Sequence, residues 1–312
     1  MKAFIFPGQG SQLVAMGKDF YDSFSVAKET FQLIDDTLNQ KLSNLIFYGP
    51  EEELNLTINT QPALMAVSIA ILNVIIDQTK SNISSLCSYV AGHSLGEYSA
   101  LCAIETINIE DTARLLYLRG KYMQEACAEG DGAMAACIGV SVKKIEEILK
   151  EINDDSSICQ IASDNSDWQV VISGHGQTID RMIAIISDLG LKAIKLKVSA
   201  PFHSSLMKQA EEKMALELNQ VNFKNPLVPI IQNVNAMIIS ESIEIKQNLL
   251  LQICNRVRWR ETIDKMSILN INEIVEIGSG KVLTNLLKRS NHKFKLTNIS
   301  KVAELEDFLL SL

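Results

Sequence analysis

The sequence predicts a mixed α/β protein in which a larger α/β body carries a small inserted unit with its own strands and helices. Three observations carry that prediction. A hydrophobic run, Leu86 to Ala91, leads straight into Gly92-His93-Ser94-Leu95-Gly96 and then into a helix-compatible stretch, Glu97 to Ile104. That is a buried strand turning sharply into a helix. Helical patterns recur on either side of this strand, and from Gly132 the texture changes to short elements in the order β-α-β-β-α-β.

Taken in order, Ala3 to Phe6 reads as a short buried strand, and Pro7-Gly8-Gln9-Gly10-Ser11 as a Gly-rich loop entering a helix. Glycines before a helix can cradle a phosphate, but this spacing is neither G-x-G-x-x-G nor a P-loop. Helical spacing runs through Asp19–Asn39, Thr60–Gln78 and Ile109–Cys127. In the inserted unit, Ala133–Val140 reads as a strand and Ser141 as the N-cap of a helix through Lys143–Leu149. Ile158–Ala162 and Gln169–Ser173 follow as strands joined by a polar turn, Ser163–Asp167, then a helix over Thr178–Leu189 and a strand over Lys192–Val198. This is the ferredoxin-like split order. Beyond it, Ser204–Leu218 and Glu244–Cys254 have helical spacing, and Val228–Asn233 and Glu273–Ile277 read as strands. A cleft between body and insert is the default place for a ligand.

At 312 residues the chain can bury a large core and hold more than one structural unit. Its net charge of −8 argues against nucleic acid as a general partner. Six cysteines lie scattered in mostly apolar segments with no C-x-x-C pair, so buried, reduced thiols are expected, with no metal site and no disulfide framework. Met1 to Pro7 is too short an apolar stretch for a signal peptide, and Pro62 to Ile76, interrupted by Ser68 and Asn73, reads as a buried helix. The expectation is a soluble, cytoplasmic protein with no membrane partner.

Gly92 to Gly96 forms a G-x-S-x-G turn, which pushes Ser94 out of the fold at the N-terminal end of a helix. A negative charge developing on a substrate oxygen there meets the positive end of the helix dipole. A serine nucleophile needs a base, and the chain has four histidines. His93 adjoins the serine but points elsewhere on a tight turn. His175 sits in a turn of the small unit, and His292 in a basic stretch. His203, in Ser199-Ala200-Pro201-Phe202-His203-Ser204, follows the return from the insert, beside the cleft. The sequence places it best without excluding a surface role. Arg119, in an otherwise apolar helical stretch, has two readings. Its stem packs while its head reaches water, or its guanidinium lies in the cleft to take a carboxylate.

Several segments resemble one family in order and spacing. They are Pro7 to Gln12, Gly92 to Glu97, Leu118-Arg119-Gly120, Gly132 to Ala136, Ala200 to Ser204, Asn255 to Trp259 and Glu276 to Leu283. Together they resemble the malonyl-CoA:acyl-carrier-protein transacylases of bacterial type II fatty acid synthesis, over essentially the whole length. The element order sets a ferredoxin-like small domain at about residues 130–198 inside a large α/β-hydrolase-like domain of residues 1–129 and 199–312, and the resemblance includes that insert. The resemblance implies Ser94 as nucleophile and His203 as base, oriented by the backbone carbonyl of Gln252. It implies an oxyanion hole from the backbone N–H groups of Gln9 and Leu95, and Arg119 on the malonyl carboxylate. Met123, Phe202 and His93 would line or orient the pocket, and Phe202 with Leu95 matches members that take malonyl rather than methylmalonyl units. An acetyl group would leave Arg119 unpaired, a cost of about 2–5 kcal/mol. The implied partners are malonyl-CoA and acyl carrier protein, with no cofactor, and the implied state is a monomer.

Three departures stand out: Arg256 where proline is usual, Ser163 where asparagine is common, and Asp167-Trp168 where Pro-Gly is common. An acidic carrier would need a basic patch on this acidic chain, from Arg256, Arg258 and Arg260 or from Lys288, Arg289, Lys293 and Lys295. Two other functional classes share the turn. A serine esterase or thioesterase would complete a triad with an acid such as Asp131 or Asp164. A non-catalytic scaffold would have no need of Ser94, His203, Arg119 and Gln9 together.

Overall fold

The computed structural model describes residues 1–128, 131–152, 157–198 and 200–312. Its strands are β1 (Lys2–Phe6), β2 (Tyr89–Gly92), β3 (Gly132–Ile138), β4 (Cys159–Ser166), β5 (Gln169–His175), β6 (Lys192–Lys195), β7 (Ile230–Ile231), β8 (Ile238–Ile239), β9 (Glu273–Ile277) and β10 (Lys295–Ile299). They form two sheets. The larger, in the order β10-β9-β1-β2-β7-β8, is parallel except for β8 at one edge. The smaller, in the order β4-β5-β3-β6, is antiparallel throughout.

Strand β1 shows why the large sheet lies inside the molecule. Phe4 and Phe6 join the core on one face and Ala3 and Ile5 the core on the other, all fully buried. Burial on both faces requires the continuous apolar run that the sequence has there. The helix Thr57–Thr79 is the centre of the first core, and the one membrane-length apolar window in it is 83% buried inside the protein. Pro62 lies inside this helix, in its second turn, where the ring removes the N–H that would otherwise bond to the Ile58 carbonyl.

The inserted β-α-β-β-α-β order appears as expected, with its own apolar cluster drawn wholly from residues between Ala133 and Ile186. Lys144 N–H donates to Ser141 Oγ at 3.2 Å, the cap expected of that serine. The boundaries expected for the insert, at 129–130 and at 198–199, fall on or beside residues 129, 130 and 199, which lie outside the described residues. Other limits shift. The segment read as a polar turn, Ser163–Asp167, is mostly strand, because β4 runs to Ser166 with two register shifts. Asp19–Asn39 is two helices, Lys18–Ser23 and Ser25–Leu38, broken where Phe24 is extended. Leu86 closes a short helix, Ile83–Leu86, and β2 starts only at Tyr89.

Candidate active site

β2 delivers the chain into the turn, and the helix Leu95–Ala103 starts immediately after Ser94. Ser94 itself has φ 54° and ψ −113°, a strained conformation for a side-chain-bearing residue. The flanking glycines are there for space. A Cβ on Gly92 would sit 1.9 Å from the Gly96 carbonyl oxygen, and one on Gly96 would sit 2.2 Å from that of Phe6. The Gly-rich loop after β1 packs on this turn in the same way, since a Cβ on Gly8 would lie 2.5 Å from the His93 carbonyl oxygen. That contact brings Gln9 to the rim of the serine's cavity. Leu95 is the first residue of its helix, so its N–H points out of the helix N-terminus rather than into a preceding turn.

Of the four histidines, His203 meets the serine. Its Nε2 is 2.8 Å from Ser94 Oγ, and its Nδ1 is 2.8 Å from the backbone carbonyl of Gln252. With Nδ1–H donating to that carbonyl, Nε2 is left as the acceptor that faces the hydroxyl. Burial first, and then the charge of Arg119, push His203 down to about 3, so it is neutral at neutral pH. The others are engaged elsewhere. His93 Nε2 lies 2.8 Å from Asn165 Oδ1 and its ring meets Trp259 edge-on, so it ties the turn to the small unit. His175 Nδ1 accepts the Ile158 N–H, and His292 pairs with Asp264.

Arg119 is in the cleft, 1% exposed. Its NH1 donates to Gln61 Oε1 at 2.7 Å, and NH2 donates to Gln252 Oε1 at 2.9 Å and Ser94 Oγ at 3.2 Å. Gly120 explains the reach, because a Cβ there would lie 2.5 Å from the Thr57 carbonyl oxygen. The helix Ile109–Glu125 therefore packs directly on the backbone of Thr57–Thr79, one turn from Gln61. Arg119 Nε meets no acceptor among the described residues, and the guanidinium lies over the Tyr98 ring.

These groups open on a cavity of about 750 Å³ between the two sheets. Gln9, Ser94, Arg119, Met123, Phe202 and His203 line it from the body, and Met134, Ala136, Val171 and Leu196 from the small unit. Among the described residues no cluster of side chains could hold a metal ion.

The acids expected of an esterase triad are not at the histidine. Asp164 is held by Arg260 through two bonds, at 3.1 and 2.8 Å, and Asp131 lines a different cavity. The histidine's partner is a carbonyl instead. The basic cluster Arg256, Arg258 and Arg260 is likewise occupied, by Glu146, Glu261 and Asp164 respectively. Arg256 thereby joins body to insert, where proline could not.

Sequence reasoning missed Gln61, Asn233 and Gln232, all of them buried. Asn233 Oδ1 accepts the Ser94 N–H at 2.8 Å and Gln252 Nε2 at 3.2 Å, and its Nδ2 donates to the Gly92 carbonyl at 2.7 Å. The one available signal was a glutamine inside the apolar run of Thr57–Thr79.

Comparison with known proteins agrees with this geometry. An acyl transferase domain model matches residues 3–303. The malonyl CoA-acyl carrier protein transacylase of Bacillus subtilis (strain 168) is 40% identical over 97% of this chain and 95% of its own length. That of Escherichia coli (strain K12) is 41% identical over 92% of each chain. The crystal structure of an acyl-carrier-protein-S-malonyltransferase from Bartonella henselae superposes with a TM-score of 0.96 at 47% identity, covering 99% of this chain and 98% of that one. A malonyl-transacylase solved in complex with its type II PKS acyl-carrier protein superposes with a TM-score of 0.95 at 39% identity, covering 100% and 99%. The chain belongs to the acyl transferase family, among the malonyl CoA-acyl carrier protein transacylases.

Proposed function

We propose that this enzyme moves a malonyl group from malonyl-CoA to the pantetheine thiol of acyl carrier protein through a malonyl-serine ester. The observation that carries the reading is a buried guanidinium 3.2 Å from a serine hydroxyl that a neutral histidine also contacts. His203 takes the Ser94 proton as the oxygen attacks the thioester carbonyl, and returns it to the departing CoA sulfur. In the second half it takes a proton from the carrier thiol, which attacks the ester and frees Ser94. The N–H groups of Leu95 and Gln9 receive the oxyanion in both halves. Arg119 takes the malonyl carboxylate, and its unpartnered Nε–H beside NH2 supplies a two-pronged edge for it. Met123 and Phe202 shape the pocket, and His93 holds the turn against the small unit.

The separate sheets and cores support two domains, residues 1–129 with 199–312 and residues 130–198. The protein is read as a monomer of the cytoplasm with no nucleic-acid or membrane partner, in keeping with its net charge of −8 and a buried apolar helix. Intact-mass measurement after malonyl-CoA is added tests the chemistry. A malonyl adduct that is absent in Ser94→Ala and cleared onto the carrier thiol supports the transfer. An adduct lost to water at the same rate without carrier overturns it in favour of hydrolysis.

A further inference from the structure

Glu97 is fully buried in the first turn of the helix behind Ser94, and the transfer chemistry gives it no part. Both of its carboxylate oxygens accept. Oε2 takes the backbone N–H of Asn233 at 2.6 Å, and Oε1 takes Gln232 Nε2 at 3.0 Å. Gln232 is itself fixed by Asn248 Nδ2 at 2.8 Å. Asn233, so held, clasps the serine turn at Gly92 and Ser94 and also receives Gln252 Nε2. Gln252 in turn contacts the Ser94 carbonyl at 3.1 Å, Arg119, and His203 through its own carbonyl. Two converging donors call for an acceptor-only group, which a carboxylate is and a neutral acid or amide is not. Arg119, meanwhile, has no carboxylate within ion-pairing distance among the described residues, and the acidic groups that act on it are Tyr98 and then Glu97, the one carboxyl between them.

We propose that Glu97, as a carboxylate, is the positioning residue that holds Ser94 and Gln252 in place through Asn233 and balances the buried charge of Arg119. The proposal rests on the acyl-transfer reading above. It has a consequence for pH. Burial pushes Glu97 up to about 7, while His203 lies at about 3. The other titratable or charged groups that interact with Glu97 are Arg119 on Ile109–Glu125 and Tyr98 on its own helix. The helix Thr57–Thr79 and β1 also pack there, but their charged residues Asp77 and Lys2 pair with Lys80 and Glu273. Ionisation of Glu97, not of His203, therefore sets the acid limb of kcat/KM, which rises as pH passes through about 7.

The test compares the full-length wild type, Glu97→Gln and Asn233→Ala in malonyl transfer to holo carrier protein across neutral pH, alongside thermal melts. Glu97→Gln is expected to lose about 100-fold in kcat/KM, the cost of a small misplacement of the reacting groups, and to lose the acid limb as well. Asn233→Ala leaves the backbone N–H on Glu97, so it is expected to lose rate and keep the limb. A folded Glu97→Gln enzyme that keeps the limb, or stays within about threefold of wild-type rate, overturns the proposal. If Glu97→Gln does not fold, a wild-type rate in Asn233→Ala overturns it instead. A wild type that transfers no malonyl group overturns the acyl-transfer reading itself, and the two failures are thus told apart.

Discussion

Replacing Arg119 with alanine separates what the arginine does for the substrate carboxylate from what it does for the fold. In the free enzyme its guanidinium already has acceptors at 2.7, 2.9 and 3.2 Å, all of them neutral. A malonyl carboxylate would exchange neutral partners for a charged one inside a site where Arg119 is 1% exposed. Truncating the arginine leaves that carboxylate buried and unpaired, a loss of about 3–5 kcal/mol. At about 1.4 kcal/mol per tenfold, kcat/KM for malonyl-CoA should fall by roughly two to three and a half orders of magnitude. Acetyl-CoA carries no carboxylate, so its kcat/KM should move by less than about tenfold, and upward if the change releases His203 from the charge that depresses it. Arg119→Lys keeps the charge without the planar fork and should fall between the two. The assay is the rate of acyl-serine formation from each thioester by intact mass, with melts to show that the variants are folded. Equal losses for malonyl-CoA and acetyl-CoA would refute the reasoning, because they would mean that Arg119 serves the serine or the fold and not the carboxylate.

Gly96→Ala should be among the most damaging small changes, because the new methyl would meet two backbone carbonyls, of Phe6 at 2.2 Å and Pro7 at 2.7 Å. A loss of about 3 kcal/mol or more is expected, read as a lower melting temperature, and a wild-type melt would contradict it. Gln252→Glu should place a carboxylate where Oε1 now meets Arg119 at 2.9 Å, and should suppress malonyl loading more than acetyl loading; equal suppression would count against it. For His203, whose folded value of about 3 lies below the ordinary 6.5, the unfolded chain binds the proton first. Its contribution to stability is therefore whole above about 6.5 and lost as pH falls toward about 3. Glu97, raised from 4.5 to about 7, acts in the opposite sense, with its contribution present below 4.5 and lost as pH rises through about 7. Denaturation of His203→Gln beside wild type should show a stability difference that shrinks on acidification below about 6.5, and a pH-independent difference would sink the assignment.

What the sequence made legible was whatever leaves a pattern along the chain. Ser94 stood out because a sharp turn needs glycine on both sides, and the Cβ distances at Gly92 and Gly96 are the physical content of that pattern. Arg119 stood out as a charge in an apolar stretch, although its two readings stayed open until the neighbouring helix was seen against Gly120. His203 had only its place after the insert to recommend it. Gln252 came from resemblance alone, because its contact with the histidine is a backbone carbonyl and any residue type could supply one. Asn233 carries no local signal, and Gln61 only that of a glutamine within an apolar run. They are common polar residues whose importance lies in being buried opposite donors contributed by distant segments. The elements that escaped notice fail for a similar reason. β8 is two residues long, and β10 is less buried than β9, so neither imposes a strong period on the sequence.

The histidine's partner is a carbonyl because of the arginine. Gln252 touches the base, the arginine and the nucleophile's turn. Its carbonyl receives His203 Nδ1, its side-chain oxygen receives Arg119, and its side-chain nitrogen donates to Ser94 O and Asn233. A serine hydrolase can afford an aspartate behind its histidine when no cation shares the site. Here a carboxylate in that position would lie close to a buried guanidinium and would pair with it, taking the very charge that the malonyl group must find free. A carbonyl fixes the tautomer and aim of the imidazole while leaving Arg119 with neutral partners that a carboxylate can displace. The reach of Arg119, bought by the missing side chain at Gly120, and the neutral support of His203 are thus two sides of one constraint. Selectivity for an anionic acyl group and an acid-free histidine are expected to occur together in this site.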